Sequence, residues 1–352
     1  MSGDFLTHSY QFPITDEYIA QHPAEKRDAS WLMVLDKKHQ TYDHKHFSDI
    51  IDYLNPGDLL VFNNTKVIPA RLLGKKPTGG NCELLLLRDL GNDEWEALVR
   101  PGKRLKTADS ISFGNNELTA TIMRETDFGG RVVKFTYSGV FNEILDRLGF
   151  IPLPPYIKQG PIQKSHSLAE RYQTVFASEL GAAAAPTAGL HFTPELLETL
   201  KSKGVQTATV TLHTGLGTFR PIDKDDVRDH EIHSEWYSLS PEVIAQIREA
   251  KKQGKRVIAV GTTVVRVLET AREKIQANIP PERLEGFTNI YIYPGYKFEI
   301  INAMITNFHL PMSTLLVLVA AFAGKQFILD AYYEALKKKY RFYSFGDAMF
   351  IQ

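Results

Sequence analysis

The spacing of apolar and polar positions divides the chain into three textures. Residues 1 to about 66 open as an α/β unit, with predicted strands at 32–35 and 59–62 around a helical stretch at 47–54 and an Asn55-Pro56-Gly57 turn. From about Val67 to Gly139 the pattern shortens to strand-like segments at 83–87, 95–99, 118–123 and 131–137, separated by Gly- and Asn-rich turns. Regular short strands without a convincing helix predict a small β-barrel or sandwich. A helix at 141–148 and the Pro152-Leu153-Pro154-Pro155 stretch lead out of it.

Helix and strand then alternate again. Thr193 and Pro194 open a helix whose Leu196, Leu197 and Leu200 recur at helical spacing until Gly204; a strand follows at 205–212. Ser240 and Pro241 open another helix, which runs to Gly254 and is followed by a buried strand at 257–260 and a helix from Thr262. The expected fold is an α/β main domain with a mainly parallel sheet, interrupted by an inserted all-β, barrel-like domain. Its predicted boundaries are 1–66 and 140–352 for the discontinuous α/β catalytic domain, and 67–139 for the insertion.

At 352 residues the chain is long enough for two cores. Forty-one Lys and Arg balance forty-one Asp and Glu, so any surface for nucleic acid must come from segregating charge. Cys82 is the only cysteine, which excludes an intramolecular disulfide and a thiolate metal cluster and favours a reducing cytoplasm. The N-terminus lacks the pattern of a signal peptide, and the longest apolar run, 315–323, is too short to span a bilayer. A soluble cytoplasmic protein with no membrane partner is expected.

The segment AAPTAGLHFT, 184–193, sets His191 beyond a run of small residues and just before a helix N-terminus, where free amides favour negative charge. A tight turn with a packed histidine would look the same. Four further segments mix glycine, hydroxyl, amide and histidine where predicted strands end, the usual ligand edge of α/β sheets. In LHTGLGTFRPI, His213 precedes Gly215, Gly217, Thr218 and Arg220; the glycines lack the third member and the following helix of a dinucleotide fingerprint. In VGTTVVRVLET, Gly261, Thr262 and Thr263 form a cradle suited to a phosphate, ribose or carboxylate, with helix capping as the plain alternative and no P-loop lysine. ITNFHLPMST contributes Thr306, Asn307 and His309. DHEIHSEWY holds Asp229, His230, Glu231 and His233, but the odd offset of its histidines sends them to opposite faces of a strand, so no metal is expected. His44 and His46 lie on a polar segment and are expected in solvent. Several histidines near one sheet edge suit proton transfer; no G-x-S-x-G nucleophile motif accompanies them.

Taken with RDAS (27–30), NNTKVIPARL (63–72), PLPPYI (152–157), RYQTVFA (171–177), HSEWY (233–237), IYPGYKF (292–298) and YRFYSFGDAMFI (340–351), these segments resemble the S-adenosylmethionine:tRNA ribosyltransferase-isomerases of queuosine biosynthesis nearly end to end. The departures are Trp31 where arginine often follows RDAS, Thr214 in place of valine, and Asn302 in place of aspartate. A base or orienting role for that aspartate would be lost with Asn302, whereas a hydrogen-bonding role would survive.

The resemblance implies transfer and isomerisation of the ribosyl group of S-adenosylmethionine onto 7-aminomethyl-7-deazaguanine at the tRNA wobble position, with release of adenine and methionine. S-adenosylmethionine is then a consumed co-substrate, no true cofactor or metal is needed, and a monomer is expected. It implies His191 or His309 as the base that removes the C5′ proton beside the sulfonium, and His213 as a second proton carrier. Thr218, Thr262, Thr263 and Asn307 would hold sugar hydroxyls, and Arg171, Arg220 or Arg266 the methionine carboxylate. Asn64, Arg71, Gly189, Thr193, Gly215, Gly217, Gly261 and Thr306 complete the expected substrate-binding set. Basic clusters containing Lys75, Lys76, Lys103, Arg104, Lys106, Lys338, Lys339 and Arg341 are expected to meet tRNA, although solvated charge is the plain reading of each. An S-adenosylmethionine-dependent RNA methyltransferase and an inactive tRNA-binding relative are the alternatives.

Overall fold

The computed structural model describes residues 4–126, 129–158, 166–215 and 221–352. They form two compact units, one of 1–64, 174–178 and 186–352, the other of 65–173 and 179–185.

The first unit is built on a nine-stranded sheet. Its order is Leu284–Thr288, Glu235–Leu239, Gln206–Leu212, Leu59–Asn63, Val257–Val260, Ala303–Asn307, Ala348–Ile351, Trp31–Asp36 and Thr41–His46. The four central strands from Gln206–Leu212 to Ala303–Asn307 are mutually parallel. Ala348–Ile351 runs antiparallel to Ala303–Asn307 but parallel to Trp31–Asp36, and the outer strands pair antiparallel. The sheet is therefore mixed, with its parallel part at the centre. That centre is where the sequence runs apolar without alternation, as in Leu59–Asn63 and Val257–Val260, both buried throughout.

Side chains of the sheet and of the Pro194–Ser202 helix, among them Leu32, Phe62, Phe192, Leu200, Ile258 and Phe350, make one core. Thr193 and Ser240 cap their helices through Leu196 and Val243, and proline follows each cap. The apolar Thr314–Ala323 helix is mostly buried and turns through 115° into Lys325–Lys337; among the described residues no single helix is long and apolar enough to cross a membrane.

The second unit contains a closed six-stranded antiparallel barrel, in the order Arg71–Lys75, Asn81–Gly91, Glu94–Arg100, Arg131–Tyr137, Leu118–Glu125 and Ser110–Phe113. Alternation fills it: Leu84 and Leu86 point inward, as do Ala97, Val99, Ile111 and Phe113, and the Phe141–Leu148 helix adds Ile144 and Leu145. Closure occurs where Lys75 pairs with Ser112. Gly74 permits it, because a Cβ there would lie 2.6 Å from the Phe113 ring and 2.7 Å from the Ser112 carbonyl oxygen.

At the amino end of the Leu59–Asn63 strand, buried Asp58 accepts from the Asn55 amide and from Arg256, whose Nη2 lies 2.5 Å away. The pair ties the Asn55-Pro56-Gly57 turn to the neighbouring strand, and removing one partner leaves the other's charge half-desolvated. Asp58→Ala should therefore cost roughly 3 kcal/mol of stability in urea unfolding while leaving the opposite sheet edge intact.

Candidate active site

The carboxyl ends of the parallel strands gather the polar loops along one edge of the sheet. Leu59–Asn63 delivers Asn63 and Asn64, Val257–Val260 delivers Gly261 to Thr263, Ala303–Asn307 delivers Thr306 to His309, and Gln206–Leu212 delivers His213 to Gly215. The amino ends of Trp31–Asp36 and Ala348–Ile351 arrive at the same edge, bringing Ser30 and Asp347.

His191 ends the short Thr187–His191 turn and is 5 % exposed. Its ring stacks on Phe47 at 4.9 Å between centroids. Nδ1 lies 2.7 Å from Ser30 Oγ and Nε2 lies 3.2 Å from Asn307 Nδ2. Asn307 also donates from Nδ2 to the Tyr343 carbonyl at 3.0 Å, which settles which end of its carboxamide carries nitrogen. An amide nitrogen only donates, so His191 Nε2 accepts, and the neutral ring carries its proton on Nδ1 and donates it to Ser30. Among the described residues, Asn307 Oδ1 is buried without a hydrogen-bond partner.

His309 lies beyond the same strand. Its Nε2 is 3.0 Å from Thr306 Oγ1, and its backbone N–H donates to the Tyr332 hydroxyl. Burial pushes the pKa of both His191 and His309 down to about 3, and for His191 the nearby Arg341 cation adds to the effect. Both are neutral near pH 7. His213 stacks on Trp236 at 4.9 Å and follows a strand three along from that of Asn307, so three strand spacings of about 4.8 Å put it roughly 14 Å away at sheet level.

The remaining expected residues divide by what holds them. Thr263 Oγ1 accepts from Asn63, and Gly261, at φ 96°, donates its N–H to the Ile305 carbonyl. Thr262 is buried beside them. Asn64 bridges Thr211 and Ser178. Gly189 makes room for the protein's own side chains, since a Cβ would sit 2.7 Å from the Phe176 ring and 2.9 Å from the Thr174 methyl. Thr193 is occupied as a helix cap. The Arg266 guanidinium forms a buried ion pair with Glu235 and donates to the Ile290 and Thr288 carbonyls, while Glu235 also accepts from the Gly215 N–H. Gly217, Thr218 and Arg220 lie outside the described residues.

In the second unit, Arg71 makes a two-pronged pair with Glu83 at 2.9 and 3.0 Å, and Arg171 closes the His166–Arg171 helix. Barrel closure brings two basic clusters together, because Lys76 bonds the Arg104 carbonyl and pairs with Asp109 at 2.9 Å. Lys75, Lys103, Arg104 and Lys106 stay exposed around that seam. In the first unit Lys338 and Lys339 are exposed, and Arg341 pairs with buried Asp347. His230 lies near Asp223, and among the described residues no group of three or more His, Cys, Asp or Glu converges as a metal site.

Asn302 stands at the amino end of its strand, five residues and roughly 17 Å from Asn307. Its Oδ1 accepts from the Val257 N–H at 2.8 Å, a task that needs an acceptor rather than a charge. Ser30, Glu235 and Tyr343 join these contacts without being marked as site residues by the sequence pattern. They lie inside the RDAS, HSEWY and YRFYSFGDAMFI segments, but nothing in one dimension pairs a serine at 30 with a histidine at 191.

The chain is similar to known proteins over nearly its whole length. A family model described as "Queuosine biosynthesis protein" matches residues 7–351. The crystal structure of S-adenosylmethionine tRNA ribosyltransferase from Thermotoga maritima is similar at 39 % identity, over 98 % of this chain and 100 % of that one, with a TM-score of 0.55.

The histidine pKa values carry a stability signature. Above pH 6.5 His191 and His309 are neutral both folded and unfolded; below it the unfolded chain binds protons that the buried rings refuse until about pH 3. Between those limits each histidine should remove roughly 1.4 kcal/mol of stability per pH unit. Thermal unfolding from pH 7 to 4 should show this decline, and His309→Gln should make it shallower.

Proposed function

The chain belongs to the family of queuosine biosynthesis proteins, and we propose from that membership that it is an S-adenosylmethionine:tRNA ribosyltransferase-isomerase. It transfers the ribosyl group of S-adenosylmethionine to the aminomethyl group of 7-aminomethyl-7-deazaguanine at the tRNA wobble position, rearranges it to the epoxycyclopentanediol of epoxyqueuosine, and releases adenine and methionine. The carrying observation is the match to the ribosyltransferase over essentially both whole chains. We take it to act as a cytoplasmic monomer without a metal.

The site's chemistry suits the first step. A sulfonium acidifies the C5′ hydrogen beside it, and a neutral histidine can take that proton and leave an ylide. A ring with a pKa near 3 is a weak base when the site is empty, because burial penalises the cation it would become. With the sulfonium bound, the positive charge is already inside. Proton transfer then leaves a net-neutral ylide, its C5′ carbanion held beside the still-positive sulfur, and a cationic imidazole, so the net charge of the site stays at one and much of the desolvation penalty is already present before the step.

We assign His191 as that base through Nε2, the nitrogen left as acceptor once Asn307 and Ser30 have set the tautomer. Substrate must displace the Asn307 N–H from this lone pair, and Asn307 Oδ1 offers an acceptor to a ribose hydroxyl as it does so. His309 and His213 remain for proton delivery to adenine and to the rearranging sugar. Thr262 and Thr263 suit the ribose, whereas Arg266, committed to Glu235, shapes the Gly215 loop. Arg341 and the barrel-seam cations Lys75, Lys76, Lys103, Arg104 and Lys106 suit the tRNA backbone.

Purified protein with S-adenosylmethionine and tRNA bearing the aminomethyl base should release adenine and increase the tRNA mass by the epoxycyclopentanediol. A methylated tRNA with S-adenosylhomocysteine as by-product would instead make it a methyltransferase. His191→Ala should lower kcat by about 100-fold or more and abolish solvent deuterium exchange at C5′. Retained exchange in that variant, with loss in His309→Ala, would move the base to His309. Charge reversal at Lys103 and Arg104 should weaken tRNA binding strongly at low salt and little at high salt.

A further inference from the structure

One residue away from the Ser30–His191 contact, the chain exposes a large aromatic ring. Trp31 opens the Trp31–Asp36 strand and is 44 % exposed. It is held rigidly all the same: its N–H donates to Asp347 Oδ1 at 3.0 Å, and its ring stacks on His46 at 4.5 Å and 25°. His46 is its direct partner across the antiparallel pair, and Tyr340 supports the ring from the side at 6.0 Å. One ring face is thus backed while much of the residue stays in water. Burying an indole in a core would bring more stability than leaving it there.

The surroundings are cationic. Arg341, 35 % exposed on its side chain, shares Asp347 with the Trp31 amide and lies close enough to His191 to act on it electrostatically. Lys338 and Lys339 are exposed just before Tyr340. The neighbouring acids are already engaged: Asp347 by Arg341, and Glu334 by His44 and Lys337 at 3.7 Å each. A backed, exposed aromatic ring near exposed cations is the composition that holds single-stranded nucleic acid, in which an unstacked base lies on the ring and phosphates meet the lysines and arginines.

We propose that the Trp31–His46 stack is a platform for one base of the tRNA anticodon loop next to the wobble nucleotide, holding the loop open while the modified base enters the site at His191. The proposal rests on the tRNA substrate of the preceding section. It differs from the barrel-seam cations in kind, since it reads a base face and not the backbone.

The test measures binding of an anticodon stem-loop carrying the aminomethyl base to the whole protein. Trp31→Ala should weaken binding about tenfold and raise the KM for tRNA, with the KM for S-adenosylmethionine unchanged, and Trp31→Phe should recover most of the loss. Two further stem-loops carry an abasic site on the 5′ or the 3′ side of the modified base. With one of them, wild type and Trp31→Ala should bind equally, because the stacked base is gone. Unchanged binding by Trp31→Ala, or a loss that persists with both abasic loops, would overturn the platform. Tryptophan emission of the wild type should also be quenched by the stem-loop, and that quench should shrink in Trp31→Phe. Absence of adenine release by wild type would count against the ribosyl-transfer reading alone, because the platform is judged on stem-loop binding.

Discussion

The carboxamide of Asn307 sets the hydrogen-bond pattern around His191 through an asymmetry that only an amide has. Its nitrogen donates to the Tyr343 carbonyl, so it cannot turn round without placing oxygen against oxygen. The same nitrogen faces His191 Nε2, and the ring must therefore accept there and carry its proton on Nδ1 toward Ser30. Three chain segments, separated by more than a hundred residues, meet in that one chain of hydrogen bonds. Aspartate at 307 would present acceptors to a carbonyl and to a ring lone pair alike, and the arrangement would reverse or come apart.

Burial gives that geometry its force. His191, His309 and Asn307 are nearly closed to solvent, which keeps both rings neutral and leaves Asn307 Oδ1 without a partner. Among the described residues, an acceptor left unpaired beside two buried neutral rings costs folding free energy. Elsewhere on the same edge, charge is neutralised internally: Arg266 by Glu235, and Arg341 by Asp347. The edge therefore sets buried neutral histidines beside internally paired charges.

Much of the fold was legible because its elements are strongly patterned. The Phe141–Leu148 helix and the Val257–Val260 and Arg131–Tyr137 strands lie where the sequence pattern predicted them, since their apolar spacing matches the face they bury. The Thr41–His46 strand was invisible. Its TYDHKH sequence is polar throughout, and it is a strand because it forms the outer edge against apolar Trp31–Asp36. That edge position also explains His46, expected in solvent and found there, but as the backing of an aromatic ring. The mainly parallel sheet expected from helix–strand alternation holds at the centre; short, less patterned strands such as Ala348–Ile351 and Glu235–Leu239 turn it into a mixed sheet.

The sequence by itself determined the ingredients: histidines 191, 213 and 309 beside small and hydroxyl residues at strand ends, a β module, and motifs that carry the family resemblance. Those are local properties, written in spacing of one to a few residues. Which histidine touches which amide, that Gly189 yields its space to Phe176, that Arg266 is spent on Glu235, and that Asn302 hydrogen-bonds the main chain at the opposite sheet edge were decided by tertiary structure alone. The physical reason is that each depends on strand order. Strand pairing sets residues 30 and 307 at one end of the sheet and packing against it brings 191 and 343 within hydrogen-bond reach, and neither leaves a periodic trace in the chain.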